Sequence, residues 1–320
     1  MSPTSLTAEL ANPNSPVSRF LGQHLPGANL HAAYSKAVRR LPTLKYHGAL
    51  DRVPWPLLGT AIDYRIRMWL GEKNHVPIAE GISILGAPEV HSTPGSGLTD
   101  ICQSRLNAAA AGDLLLDRMA AHAGPLMAEE EGDAARLAIV SARYDAVYRT
   151  AAIAAGTRAI SYFTVLRLPP DPVKALELLT GQIPRPHTDD ICRQAAAAAL
   201  ALADIKGQPL TCAPTFAGSP HVGHAEGDFI AGEVLVDIKS TLTPQLRPDQ
   251  ARTWFHQLAG YLLLDYDNTH SIKALGIYLS RQAVLLTWPV EDFLRLMGAR
   301  IPLDVLRRRL KHTLTPHTIA

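Results

Sequence analysis

The chain has 320 residues, 47% of them apolar and 19% charged, with a formal net charge of +2. That is enough apolar material for a large core in one elaborated domain or two small ones, and too balanced a charge for whole-chain attraction to a polyanion, so any basic surface must be local. Three cysteines, Cys102, Cys192 and Cys212, lie far apart with no CxxC pair, which argues against a disulfide framework or a structural zinc and for a reducing, cytoplasmic setting.

The opening MSPTSLTAEL lacks the regions of a signal peptide. Residues 1–27 are rich in Ser, Pro and Asn and read as a flexible N-terminal arm. NLHAAYSKAVRRL at 29–41 is helical and basic. PWPLLGTAIDYRIRMWLG at 54–71 is strongly patterned between prolines and Gly71, as a helix would be. Residues 28–99 are thus expected to form the N-terminal helices of the core. From 100 to 208 Ala-rich stretches alternate with the breaks AHAGP, LPPDP and IPRPH, a helical block or insertion. Within it EEEGD at 129–133 reads as a solvated loop and helix start. QAAAAALALADIKG is too short and too Ala-rich to cross a membrane, and no membrane partner is expected.

From about 210 the composition turns to short Val, Ile, Leu and Thr runs, as in strands. GDFIA and EVLVDIKS form a hairpin. RPDQARTWFHQLAGYLLLDYD at 247–267 has helical spacing. IKALGIYLS and AVLLTWPV form a second hairpin about Arg281-Gln282, and EDFLRLMGAR and LDVLRRRLKHTL close the chain as helices. The basic run at 307–311 is a solvated helix face or a phosphate-tracking surface. The order is that of an α/β layer arrangement, with residues 209–320 holding the hairpin, sheet and last helices.

The first hairpin carries acids where a buried strand should not want them. With Ala231-Gly232 as a two-residue turn, 230 faces 233, 228 faces 235 and 226 faces 237, and directly opposed residues share a face. Glu226, Asp228, Asp237 and Lys239 then project from one side, with Asp228 roughly 7–8 Å diagonally from Asp237. Carboxylates there repel one another unless a cation lies between them. Mg²⁺ or Mn²⁺ fits two carboxylates, a backbone carbonyl such as that of Ile238, and a phosphate. Lys239 would stabilise charge on that phosphate. An odd-numbered turn would instead move Asp237 off the shared face and leave the acids solvated. A second D-x-K, at Asp204 and Lys206, ends an Ala-rich helix and has no acidic partner strand. His221, His224 and Cys212 could hint at zinc, but no fourth ligand is evident.

GDFIAGEVLVDIKS followed by HQLAGY resembles the PD-(D/E)XK nuclease superfamily, in its RecB-like branch. That branch places an acid on one strand, D-x-K on the next and Q-x-x-x-Y on the following helix. Here Asp228, Asp237-Ile238-Lys239 and Gln257 to Tyr261 stand in that order. The resemblance implies a restriction-endonuclease-like core, a mixed central sheet flanked by helices, with a helical insertion. It implies catalytic roles for Asp228, Asp237, Lys239, Gln257 and Tyr261. It implies metal contacts from Asp228, Asp237 and Ile238, with Glu226 and Asp63 assisting. The branch's first helix carries G-x-x-x-H; this chain has Gly59 but Asp63 in place of the His, where an ion pair with Arg67 is the plain structural alternative. The Pro before the first acid is replaced by Gly227, and Glu226 rivals Asp228 for the first-acid role. Tyr261 shares its helix face with Trp254 and Leu258, so packing is its alternative role.

The function expected is metal-dependent hydrolysis of nucleic acid, DNA rather than RNA, with a protein partner or homodimer and, by analogy alone, a place in phage or mobile-element defence. The alternative is a non-cleaving nucleic-acid-binding module on a degenerate nuclease fold.

Overall fold

The computed structural model describes residues 5–73, 75–87, 96–150 and 154–315. Residues 1–4 of the expected arm, 74 and 88–95 of the expected N-terminal helices, 151–153 of the helical block and 316–320 of the last segment lie outside these. In chain order the helices are α1 (Leu6–Ala11), α2 (Pro16–His24), α3 (Ala28–Val38), α4 (Trp55–Leu70), α5 (Val76–Gly86), α6 (Ser96–Ala121), α7 (Ala128–Thr150), α8 (Ala154–Val165), α9 (Pro172–Gly181) and α10 (Arg185–Ala201). The strands follow: β1 (Leu210–Cys212), β2 (Phe229–Ala231) and β3 (Val234–Lys239), then α11 (Pro248–Leu264), β4 (Ala274–Leu279), β5 (Val284–Pro289), α12 (Val290–Met297) and α13 (Leu303–Leu314). The architecture is α/β, with a five-stranded mixed sheet flanked by helices. Among the described residues no helix is long and apolar enough to cross a membrane.

The chain divides into two compact units, residues 45–199 and residues 1–44 with 200–320. Residues 45–99 therefore group with the helical block, whereas the sequence assigned them to the core that carries the hairpin. The helical unit is built on α4–α9, with Tyr64, Met68, Ile82, Leu115, Tyr144 and Phe163 in its core. It also buries ions. Arg65, 1% exposed, donates through Nε and Nη2 to Glu131 at 2.7 and 2.6 Å. Tyr64 donates to Asp145 at 2.8 Å. Glu131 of the EEEGD run is thus an ion-pair partner at the start of α7 rather than a solvated residue.

In the other unit the sheet order is β1-β2-β3-β4-β5, with β3 and β4 parallel and every other pair antiparallel. α11 makes the crossover between the parallel pair, which a tight turn cannot do. One sheet face, through Ile230, Leu235, Leu275, Ile277 and Leu279, packs in a core with Phe255, Leu258, Tyr261 and Leu262 of α11. The second hairpin forms as expected, with Leu279 opposite Val284 and Arg281-Gln282 inside the turn.

From residue 5 to 27 the expected flexible arm is structured instead. Leu6, Val17, Phe20, Leu21 and Leu25 are buried in the core of the sheet unit. Ser and Asn, read as signs of disorder, act as helix caps: the Ser5 and Ser15 hydroxyls accept from Ala8 N and Ser18 N at 3.2 and 3.0 Å. His256 of α11 bonds the Leu25 carbonyl at 2.8 Å. Gly260 lets α1 approach closely, since a Cβ there would stand 2.9 Å from Leu6 Cδ2.

The first hairpin turns one residue later than expected. Ala231 pairs with Val234 and Phe229 with Val236, so the turn is Gly232-Glu233, with Gly232 at φ +58°. Glycine takes that left-handed conformation at no steric cost, while Ala231 stays in the ladder. Moving the turn by one residue moves the register by two, so the shared face survives. One step along the same register places Asp228 directly opposite Asp237 rather than diagonal to it.

Candidate active site

The carboxyl end of β3 interrupts an apolar sheet face with Asp237 and Lys239, and the residue before β2 adds Asp228. Directly opposed residues hold their Cβ atoms roughly 5 Å apart. Asp228 Oδ2 accepts from the Ile238 N–H at 2.5 Å, taking the place of a ladder partner where β2 has not yet begun.

Asp237 is 1% exposed. Lys239 Nζ lies 2.7 Å from its Oδ2, yet neither carboxylate oxygen receives a well-directed hydrogen bond. Burial pushes the Asp237 carboxyl up to about 6; Lys239 opposes that shift and Asp228 adds to it. Burial outweighs the one ammonium beside this carboxylate.

α11 supplies the opposite wall. Lys239 Nζ donates to Gln257 Oε1 at 2.9 Å, and Gln257 Nε2 donates to the Tyr261 hydroxyl at 2.9 Å. The relay fixes which end of the amide faces the lysine. Tyr261 also stacks on Phe216 with centroids 5.5 Å apart, so it is at once a core tyrosine and a polar contact of the site. Trp254, one turn before Gln257, has Lys239 Nζ 5.7 Å from its ring centroid, a cation–π distance. Trp254 is not among the residues that the motifs point to; its i, i+3 spacing from Gln257 is the signal that could have found it.

The structure thus gathers Asp228, Asp237, Ile238, Lys239, Gln257 and Tyr261. Glu226 sits in an isolated bridge with Thr215, and its Oε2 lies 3.0 Å from His224 Nε2. Asp63 belongs to the helical unit, on α4, where Arg67 Nη2 donates to it at 2.7 Å; the ion pair weighed for it is the contact found. Among the described residues no group of three or more His, Cys, Asp and Glu side chains is placed to hold a metal. Glu226 is not grouped with Asp228 and Asp237 there, its carboxylate meeting His224 instead. Any cation would rest on two carboxylates and main-chain or solvent oxygens.

No family model matches this chain, and no curated protein or solved structure does either.

Proposed function

We propose that this chain hydrolyses phosphodiester bonds of nucleic acid, DNA in preference to RNA, with a divalent cation, on a restriction-endonuclease-like core of the RecB-like kind. The observation that carries the proposal is the pair of carboxylates, Asp228 just before β2 and Asp237 on β3, beside the Lys239–Gln257–Tyr261 relay. The residues fit a hard cation such as Mg²⁺ or Mn²⁺. Asp237 is buried, poor in donors and pushed up to about 6 by burial, so its ionised form gains from added positive charge. Asp228 and Asp237 would hold the ion. The Ile238 carbonyl would join them, because in an extended strand it points to the same side as its amide, which already meets Asp228. When bound, the ion supplies a Lewis acid for a phosphoryl oxygen.

The remaining chemistry belongs to side chains. Lys239, held by Gln257, keeps an ammonium at the site and stabilises negative charge growing on the phosphate. Tyr261 keeps the Gln257 amide from turning over. One observation favours the second reading, a non-cleaving binding module: the acids number two, and one already has its own lysine.

Incubation with single- and double-stranded DNA and RNA, under Mg²⁺, Mn²⁺ or a chelator, separates the readings. The nuclease reading expects metal-dependent cleavage, lost in Asp237→Asn and reduced ~100–1000-fold in Lys239→Ala. Nucleic acid bound but uncut under every metal would leave the binding module.

A further inference from the structure

We propose that the groove beside Lys239 is a base-stacking subsite, in which Trp254 takes the face of an unpaired base from a single-stranded segment of nucleic acid. The proposal deepens the nuclease reading and rests on it for where the scissile phosphate lies. The groove measures about 510 Å³ and is bounded by the loop leaving β3 and the first turns of α11, a size that suits a small-molecule moiety. Trp254 and Leu246 form its apolar part. Thr243, Thr253 and Gln245 line the rest with hydroxyl and amide groups, and Arg247 stands at the rim.

Three observations point to this occupant. First, the Trp254 ring is held in place: Tyr34 meets it nearly perpendicular at 6.3 Å, and the Lys239 ammonium lies 5.7 Å from its centroid. A strand whose base reaches Trp254 therefore brings its backbone beside Lys239. Second, among the described residues no carboxylate lines the groove, and Arg247 pairs with the exposed Asp249 at 3.2 Å, which is not part of the lining. That leaves neutral donors and acceptors for a base edge and one cation for a phosphate. Third, Gln245 Nε2 donates to the Val38 carbonyl at 3.3 Å, which orients its oxygen as an acceptor. A base inside a duplex has both faces covered, so a stacking platform selects a single strand, a frayed end or an extruded nucleotide.

The test titrates metal-free full-length protein with a fluorescein-labelled single-stranded oligonucleotide and with a closed hairpin duplex. Wild type should prefer the single strand. Trp254→Leu should weaken that binding about 5- to 100-fold, and Trp254→Phe should restore most of it. Arg247→Gln should lessen its salt dependence. Should Trp254→Leu fail to fold, Thr253→Glu and Thr243→Glu, both at exposed positions, place a carboxylate in the groove and should weaken binding too. Unchanged affinity in Trp254→Leu or in both Glu variants, or a preference for the duplex, overturns the subsite. The same oligonucleotides with Mg²⁺ keep the two proposals apart. Trp254-dependent binding without cleavage sinks the nuclease reading and supports the subsite. Cleavage of duplex alone, indifferent to Trp254, does the reverse.

Discussion

At the residue scale, Asp237 and Lys239 are an ion pair whose members are not equivalent. Lys239 has a side chain 19% exposed and Asp237 one 2% exposed. A lysine that loses its partner can extend to water, whereas a buried carboxylate cannot. Removing each charge should therefore act in opposite directions on the metal-free protein. Lys239→Ala should destabilise by ~1 kcal/mol at neutral pH, because the buried carboxylate loses its ammonium and must take up a proton to stay in the core. Asp237→Asn should be neutral to stabilising by ~1–3 kcal/mol. The pH dependence has a definite sign. The folded carboxyl is raised from 3.8 to about 6, so between these values the folded state binds more protons than the unfolded one. Stability then falls as pH rises through that window, by ~3 kcal/mol in full. Denaturant titrations from pH 4 to 8 in chelator should show this fall in wild type and a flatter profile in Asp237→Asn. A large loss of stability in Asp237→Asn at pH 7 would make the carboxylate structural. The D-x-K spacing was legible because strand alternation alone puts two residues on one face. That Asp228 reaches the Ile238 amide was not, because it depends on where β2 stops.

At the scale of elements, α11 carries both packing and chemistry on one helix. Its apolar periodicity follows from the sequence, which extended the helical spacing over 247–267 where the helix runs Pro248–Leu264, and so does the common face of Gln257 and Tyr261. The direction of the Gln257 amide does not, because it is set by Lys239 on one side and Tyr261 on the other. Gln257→Ala should cost no more than ~1.5 kcal/mol, since a half-buried amide loses two hydrogen bonds without leaving a large cavity. It should lower cleavage much more than stability, because Lys239 loses its acceptor. Tyr261→Phe keeps the stack on Phe216 and removes only the hydroxyl that receives Gln257. Its cleavage rate should fall less than that of Gln257→Ala, at a stability change of ~1 kcal/mol. Thermal melts beside single-turnover cleavage rates measure both quantities, and full activity in Gln257→Ala would end the relay as a functional idea. The first hairpin shows the limit of local reading. Two adjacent turns, Ala231-Gly232 and Gly232-Glu233, both contain Gly232, and the chain takes the one that puts the glycine first, where a hairpin turn matched to the strand twist needs its positive φ.

At the scale of the whole molecule, long-range packing was the least legible feature. Arg65 and Glu131 are 66 positions apart, and nothing local links them. The N-terminal segment is the clearest case, because its Ser, Pro and Asn content concealed five side chains that the core needs. Leu6, Val17, Phe20, Leu21 and Leu25 are all at most 6% exposed. At ~1.5–3 kcal/mol for each buried side chain, removing the five could withdraw up to about 15 kcal/mol, an upper bound because unfolded chains already bury some apolar surface. A domain has only about 5–15 kcal/mol in all. Deleting residues 1–27 should therefore leave the sheet unit unfolded or aggregated, with α11 stripped of its cover and His256 of its bond to Leu25. A truly loose arm would be removed without effect. Point variants make the test gradual. Leu21→Ala should cost ~2–4 kcal/mol through lost burial and the cavity left behind, while Arg19→Ala, at an exposed position of the same helix, should stay within ~0.5 kcal/mol. The residues 45–199, whose core draws on none of these side chains, should keep their helical circular dichroism in the deletion protein. Denaturant midpoints for the two point variants, and solubility with circular dichroism for the deletion, provide the readout. A deletion protein as stable as wild type would restore the flexible arm.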